Sequence, residues 1–491
     1  MKTNEELDKE ILETTAMIQE NYPEISKFED EMTITIPTEV KPEITPDNLQ
    51  EYNDSLQTMV KGYANNSTKH IVIIGAGFAG LKIARALNNH PSYRITLIDK
   101  NNYHQFQPLF YQVAMANLDA SNISFPLRNI FEKSKNVSIR VETVTNINCD
   151  ESRVETEKEN FSYDYLIIAT GTTTNYFGNN SFQEKTFPMK STYEALQIRN
   201  TLLQHFEDAV ATKTSNTENF LSIVIVGGGA TGVELSGALA EMKNDSLPFE
   251  YPELDFTKMK IYLLEGTSKL LANMSSASSK KAKEYLIKLG VTVKTDAIVK
   301  EYDGQKLLVE DKTEIQSTFV IWAAGVKGNI PNGINPELIT RTNQIKTDNY
   351  NRVISINNVF AVGDIAFIQT ELHPLGFPQL ASVAIDQAKN VANNFIRLAN
   401  EKTMLPFTYT NKGSMATIGR NKAVVDLAIP KLSFQGFFAW IIWMTLHLFL
   451  LIGFKNRLIV FINWIYKYFT HRQSLALLFP ALTVKTKNKF S

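Results

Sequence analysis

The sequence predicts an α/β protein with two parallel sheets, each opening on a glycine turn, and a C-terminal region suited to an apolar surface. Three observations predict it. An unbroken apolar strand runs into a glycine turn and a helix between His70 and Lys100, the same pattern returns between Leu221 and Glu265, and Phe434 to Phe454 contains no Asp, Glu, Lys or Arg.

In the first stretch Ile71, Val72, Ile73 and Ile74 form a short apolar run, the signature of a parallel strand covered on both faces. Gly75, Gly77 and Gly80 follow, with Phe78 and Ala79 between the last two. After a strand, glycines so spaced allow a tight turn, the approach of a pyrophosphate to backbone N–H groups, and close packing of helix on strand. A second strand, Ile95 to Ile98, ends in Asp99 with Lys100 beside it. Asp99 lies 19 residues beyond Gly80, near the spacing of about 20 at which an acid meets a ribose hydroxyl. Farther on, Tyr165 to Ile168 runs into Ala169, Thr170 and Gly171, a small-residue turn that lets the backbone pass close to a bound cofactor.

The second stretch repeats the first. Ile223 to Val226 is the strand; Gly227, Gly229 and Gly232, with Thr231 before the last, form the turn; Ile261 to Leu264 is the second strand and ends in Glu265. Gly171 lies 96 residues after Gly75, and Gly325, in Ala323-Ala324-Gly325, lies 98 after Gly227. Matched offsets identify a duplicated unit. Glu265 follows Gly232 by 33 residues, a longer gap that an insertion around Asn244 to Thr257 explains. The expected architecture is therefore two Rossmann-like dinucleotide-binding domains plus a C-terminal membrane-anchoring region. Its expected divisions are a helical extension of unknown role (1–66), a first dinucleotide-binding domain (67–190 with 330–405), a second (191–329), and a C-terminal strand and anchor region (406–491), of which the family resemblance given below makes the first the FAD domain and the second the NADH domain.

At 491 residues the chain exceeds one ordinary core. Its net charge of −1 hides an asymmetry: acids crowd the first 66 residues, and basic residues including Arg472, Lys485, Lys487 and Lys489 dominate after residue 401. A basic end beside an apolar run points to an anionic membrane surface and away from nucleic acid. The single cysteine, Cys149, excludes a disulfide framework and a two-cysteine redox centre. No metal site is expected. The first residues lack an apolar signal core, so a cytoplasmic start is expected. Helices are expected over Glu5 to Glu20 and Asp47 to Tyr63, separated by Pro37, Pro42 and Pro46, as a solvated appendage or assembly element.

Two dinucleotide sites in one chain imply hydride passing from a nicotinamide to a flavin, each with its own phosphate cradle. Glu265 favours NADH, since a carboxylate placed for the 2′-hydroxyl repels a 2′-phosphate, while nearby Lys269 leaves NADPH open. Glu234, two residues past Gly232, is either a carboxylate in the helix's first turn or part of the nicotinamide pocket. Val359 to Val362 is an apolar strand ending in Gly363-Asp364 that returns the chain to the first domain.

This order of motifs resembles the two-dinucleotide-binding flavoprotein reductases, in which the Gly-Asp carboxylate holds the FAD ribityl chain; the resemblance assigns that role to Asp364. The missing cysteine pair separates the chain from the disulfide reductases and the sulfide:quinone reductases. Phe106 to Ala114, Pro378-Gln379 with the helix after it, and Gly413 to Arg420 resemble the type II NADH:quinone oxidoreductases across roughly residues 68 to 480. That likeness implies FAD and NADH as cofactors, menaquinone or ubiquinone as acceptor without proton pumping, and Glu234, Gln379 and Lys412 as catalytic residues. For Lys412 an ordinary surface lysine is the competing reading. Where the family often shows A-Q-x-x-x-Q-Q, this chain has Ser382 and Asp386 ahead of Gln387.

Phe434 to Phe454 is long enough to span a bilayer. Gln435, Thr445 and His447 interrupt it, and the aromatic residues mixed with Lys467 and Arg472 that follow suit a helix lying in the headgroup layer. The family likeness implies a peripheral or monotopic anchor on the cytoplasmic face of the cell (inner) membrane. A soluble dimer interface is the third reading of the run, and a homodimer is left open. Two other functions share these cofactor domains: a soluble NAD(P)H:ferredoxin or monodehydroascorbate-type reductase, and a membrane-tethered NADH-sensing or scaffold flavoprotein.

Overall fold

In the computed structural model, which describes residues 4–21, 46–66, 68–212, 221–470 and 475–478, each apolar strand singled out above lies inside a five-stranded sheet. The first sheet uses β1 (Lys69–Ile74), β2 (Tyr93–Asp99), β3 (Val137–Val141), β4 (Tyr165–Ile168) and a late strand, β12 (Val359–Ala361), in the order β12-β4-β1-β2-β3. β12 pairs parallel with β4, Phe360 beside Ile167, so the chain does return to its first domain. The second sheet uses β6 (Phe187–Pro188), β7 (Ser222–Val226), β8 (Lys260–Leu264), β9 (Val291–Lys294) and β10 (Phe319–Trp322), all parallel, in the order β6-β10-β7-β8-β9. The two orders are equivalent strand for strand. All five residues of β7 are buried, as a strand covered on both faces must be. A ribbon of β5 (Thr172–Thr174) and β11 (Val326–Gly328), antiparallel, joins the chain beyond β4 to the chain beyond β10.

Contacts divide the chain into two units, residues 1–70 with 90–94 and residues 71–89 with 95–491. In the first, α1 (Asn4–Asn21) packs on α2 (Pro46–Asn66), and Asn53 Nδ2 donates to Glu10 Oε2 at 2.9 Å. Pro46 opens α2, a position where its missing N–H costs nothing. Pro37 and Pro42, like Arg472, Lys485, Lys487 and Lys489, lie outside the described residues.

In the second unit, α3 (Phe78–Ala86) follows β1, α4 (Phe110–Ala114) lies within the FQPLFYQVA stretch, and α5 (Thr192–Thr212) leads into the second sheet. There α6 (Ala230–Glu241) follows β7 and runs on through a π-helical turn, Met242–Ser246, and a short helix, Leu247–Glu250. Those segments are the insertion that lengthens the path from Gly232 to Glu265. Downstream lie α7 (Ser276–Lys288) and α8 (Ala381–Ala399). The C-terminal region is a three-stranded antiparallel sheet, β13 (Ser414–Gly419), β14 (Lys422–Leu427) and β15 (Leu432–Gln435), with α9 (Phe437–Leu450) packed on β14 and α10 (Phe454–Thr470) beyond it. β13 lies against α6 so closely that a Cβ on Gly237 would sit 1.8 Å from the Ile418 carbonyl oxygen. One apolar core containing Phe106, Phe206, Phe319, Ile418 and Trp443 therefore runs from α4 through the second sheet into the C-terminal sheet.

The apolar run 434–454 is not one helix. Its first residues finish β15, Gly436 at φ 74° turns the chain, and α9 holds 14 residues, about 21 Å at 1.5 Å per residue against a hydrocarbon core of about 30 Å. Among the described residues no helix is long and apolar enough to cross a membrane.

Candidate active site

The two glycine turns are built alike. Gly75 has φ +101°, and a Cβ there would stand 2.4 Å from the Ala169 carbonyl oxygen; Gly227 has φ +114°, and its Cβ would stand 2.4 Å from that of Ala323. Each first glycine is thus wedged against the small-residue turn that closes its own sheet. Gly77 and Gly229 cap α3 and α6 without a side-chain cap or an acid in the first turn, and a side chain added at either would meet nothing within 4 Å. Such a helix start leaves backbone N–H groups open to an anion. Gly80 and Gly232 lie under Gly75 and Gly227, with no room for a Cβ, while Ala79 is buried, Phe78 half-buried and Thr231 exposed.

The acids behind the turns hold them. Asp99 Oδ2 accepts from Ala76 N at 2.7 Å and Oδ1 from Asn101 N at 2.7 Å. Burial pushes the Asp99 carboxyl up, against the pull of those two N–H groups and the charge of Lys100. Glu265 does the same in the second turn, Oε2 accepting from Gly228 N at 2.6 Å and Oε1 from Thr267 N at 2.8 Å. The residue so gripped is also held by its carbonyl. In the second turn Leu271 N donates to Gly228 O at 2.8 Å; in the first, His104 Nδ1 takes that place on Ala76 O, also at 2.8 Å. Burial drives His104 down to about 4, so it is neutral near pH 7 and bonds the carbonyl as an N–H donor.

The Gly363-Asp364 turn is brought to the first cradle: a Cβ on Gly363 would lie 3.4 Å from that of Ala79. Gln387 Oε1 accepts from Gly363 N at 2.7 Å, and Gln379 Nε2 and Gln344 Nε2 donate to Asp364 O at 2.9 and 3.1 Å. Thr172 Oγ1 is 3.4 Å from the Asp364 carboxylate. Burial raises Asp364 and lowers Lys190, and the charge of each opposes the shift of the other. Gly171 and Gly325 take φ +65° and +120° at their turns, and the buried Thr170 hydroxyl has no protein partner.

A third feature is a cleft bounded by α4, α6, the β13–β14 turn, α9 and α10, enclosing about 690 Å³ of empty space, part of it open to solvent. Glu234 is at its buried end, Oε1 accepting from Thr417 N at 3.3 Å. Burial pushes Glu234 up to about 8; the Thr417 N–H and the adjacent Trp443 indole pull weakly the other way. The Trp443 N–H itself has no acceptor in bonding geometry. Tyr111 and Gln112, from the FQPLFYQVA stretch, join the lining, with Gln112 Oε1 accepting from Trp464 Nε1 at 2.8 Å. The three residues expected to be catalytic have separate partners: Glu234 meets Thr417, Gln379 the Asp364 carbonyl, and Lys412 Nζ lies 2.5 Å from Asp386 Oδ2 in a half-exposed ion pair. Ser382 is half-buried on α8.

Sequence reasoning missed His104, Lys190, Gln344 and Gly237. His104 and Lys190 carried a weak signal as polar residues beside motif stretches. Gln344 and Gly237 act through contacts far along the chain and carried none.

Comparison with known proteins gives the family and the fold. Residues 69–388 match the family model of the pyridine nucleotide-disulphide oxidoreductases, and residues 411–473 match that of the NDH2 C-terminal domain. The chain is 35% identical over 425 residues to the type II NADH:quinone oxidoreductase Ndh of Mycobacterium tuberculosis, covering 82% of this chain and 89% of that protein. The chain belongs to the type II NADH:quinone oxidoreductase family. A second mycobacterial member, NdhA, is 34% identical over 415 residues, 80% of this chain and 86% of that protein. Among solved structures, NDH2 of Plasmodium falciparum in complex with NADH shares the fold at TM-score 0.76 and 23% identity, over 82% of this chain and 98% of that one. The sulfide:quinone oxidoreductase of Aquifex aeolicus shares it more loosely, at TM-score 0.63 and 20% identity over 82% of this chain and 95% of that one.

Proposed function

We propose that this member of the family oxidises NADH and delivers both electrons, through FAD, to a membrane quinone, without carrying protons across the bilayer. The duplicated cradle carries the reading, because an enzyme that takes hydride from a nicotinamide and hands electrons on needs two cofactor sites in one chain. The first cradle fits FAD: an open helix start at Gly77, Asp99 behind it, the unpartnered Thr170 hydroxyl, and Asp364 with Lys190 close by. Gly227 to Gly232, Gly325 and Glu265 form the NADH side. FAD when bound supplies the two-electron exchange between nicotinamide and quinone. The chain's own residues orient it, hold the Asp364 turn through Gln379 and Gln387, and place Glu234, protonated near pH 7, as a proton donor at the buried end of the cleft. Lys412 acts by pinning Asp386 on α8.

The domain reading puts residues 67–190 with 330–405 around FAD, 191–329 around NADH, and 406–491 toward the membrane, with one correction at its first boundary: β6 (Phe187–Pro188) pairs with β10 and so belongs with the second sheet. α9 and α10 present Phe438, Phe449, Phe454 and Phe469, each more than two-thirds exposed, as a surface that lies on lipid at the cytoplasmic face of the membrane. The acceptor is menaquinone or ubiquinone. Purified protein supplied with NADH and analogues of both should form quinol at one molecule per NADH; oxidation of NADH by dyes or oxygen alone would refute the assignment.

A further inference from the structure

The net reaction is NADH + H⁺ + quinone → NAD⁺ + quinol: two electrons leave NADH, both reach the quinone, and one proton per turnover enters from solvent. We infer that this proton enters through the cleft between α6 and the C-terminal helices, with Glu241 relaying it from solvent to Glu234. The inference rests on the proposed NADH:quinone activity.

Glu234 and Glu241 line the same cleft from the same helix. They are seven residues apart, two turns or about 10 Å along the axis, and within about 20° of the same face. Asp245, in the π-helical turn, continues that row. The space between has room for ordered water, each molecule needing about 30 Å³. Trp443, 2% exposed, also lines the cleft and sets its indole beside the Glu234 carboxyl. Glu241 sits at the outer end with a 13% exposed side chain, Oε2 3.5 Å from Lys467 Nζ on α10 and Oε1 accepting from Arg420 N at the β13–β14 turn. The other titratable or charged groups facing it are Tyr111 from α4, Arg420, whose guanidinium lies over the Tyr468 ring, and Tyr468 itself. The fields of Glu234 and Glu241 both reach Tyr111, which places the two carboxyls in one electrostatic neighbourhood.

Replacing Glu241 separates relay from scaffold. Glu241→Gln keeps an acceptor for the Arg420 N–H and removes the titrating group; Glu241→Ala removes both. In the full-chain holoenzyme, Glu241→Gln should lower quinone turnover at least about tenfold, raise the solvent deuterium isotope effect, and regain rate when formate is added as a small diffusible acid. Flavin reduction by NADH, followed by absorbance in rapid mixing, should slow far less. Wild-type quinone turnover in Glu241→Gln with an unchanged isotope effect overturns the relay. So does an equal loss of both half-reactions, or a loss in Glu241→Ala that Gln fully restores, since each marks a scaffolding role. A wild-type enzyme that reduces flavin with NADH and never reduces quinone overturns the activity itself.

Discussion

His104 shows what a single side chain does here. Its imidazole and the Asp99 carboxylate hold the carbonyl and the N–H of Ala76, fixing the two peptide planes that meet at its Cα, so the turn is aimed before a ligand arrives. One such hydrogen bond is worth about 1 kcal/mol. His104→Ala should therefore weaken FAD binding by up to about tenfold, measured by titrating flavin into stripped protein, and His104→Gln should recover part of the loss through its amide N–H. Equal affinities in all three proteins would show that the contact is idle. The glycines and acids of both turns were readable in the sequence because the geometry demands those residue types at fixed spacing. His104 was not, because any donor reaching Ala76 O would serve.

At the scale of elements, the strands, both turns and the late return strand were legible, since unbroken apolar runs and positive-φ glycines have few other uses. The apolar run at 434–454 was misleading in length: composition could not show that Gly436 ends a strand and starts a helix of 14 residues. The exposed rings of α9 and α10 give the run its test. Replacing Phe438 and Phe469 by Asp should shift the protein from anionic vesicles to the supernatant in co-sedimentation while bound flavin absorbance is kept; undiminished sedimentation would locate the lipid contact elsewhere. Close contact at Gly237 ties the C-terminal sheet to α6, an arrangement invisible in sequence because Ile418, its partner, is 181 residues away.

For the whole molecule, three buried titrating groups set opposing limits on stability. Glu234, raised to about 8, binds its proton more tightly folded than unfolded, so its contribution is full below the ordinary carboxylate range and lost as pH rises to about 8. His104 and His447, both lowered to about 4, contribute fully above the usual histidine range, and that contribution is lost as pH falls toward 4. The opposing signs put the melting-temperature maximum between about 4 and about 8 in pH. Glu234→Gln should flatten the alkaline limb, gaining a few degrees at about pH 9, and leave the acid limb in place; an unaltered alkaline slope would assign it to other groups.

The two turns, copies in sequence, differ in their exposure to mutation. At position 104 the grip on the carbonyl is a side chain, so a single codon change can release it. At Leu271 it is a backbone N–H, which every residue but proline supplies, and proline's fixed φ near −65° is incompatible with the φ of 50° found there. Drift can retune the grip on the first turn, whereas the corresponding hold on the second survives any substitution its backbone tolerates.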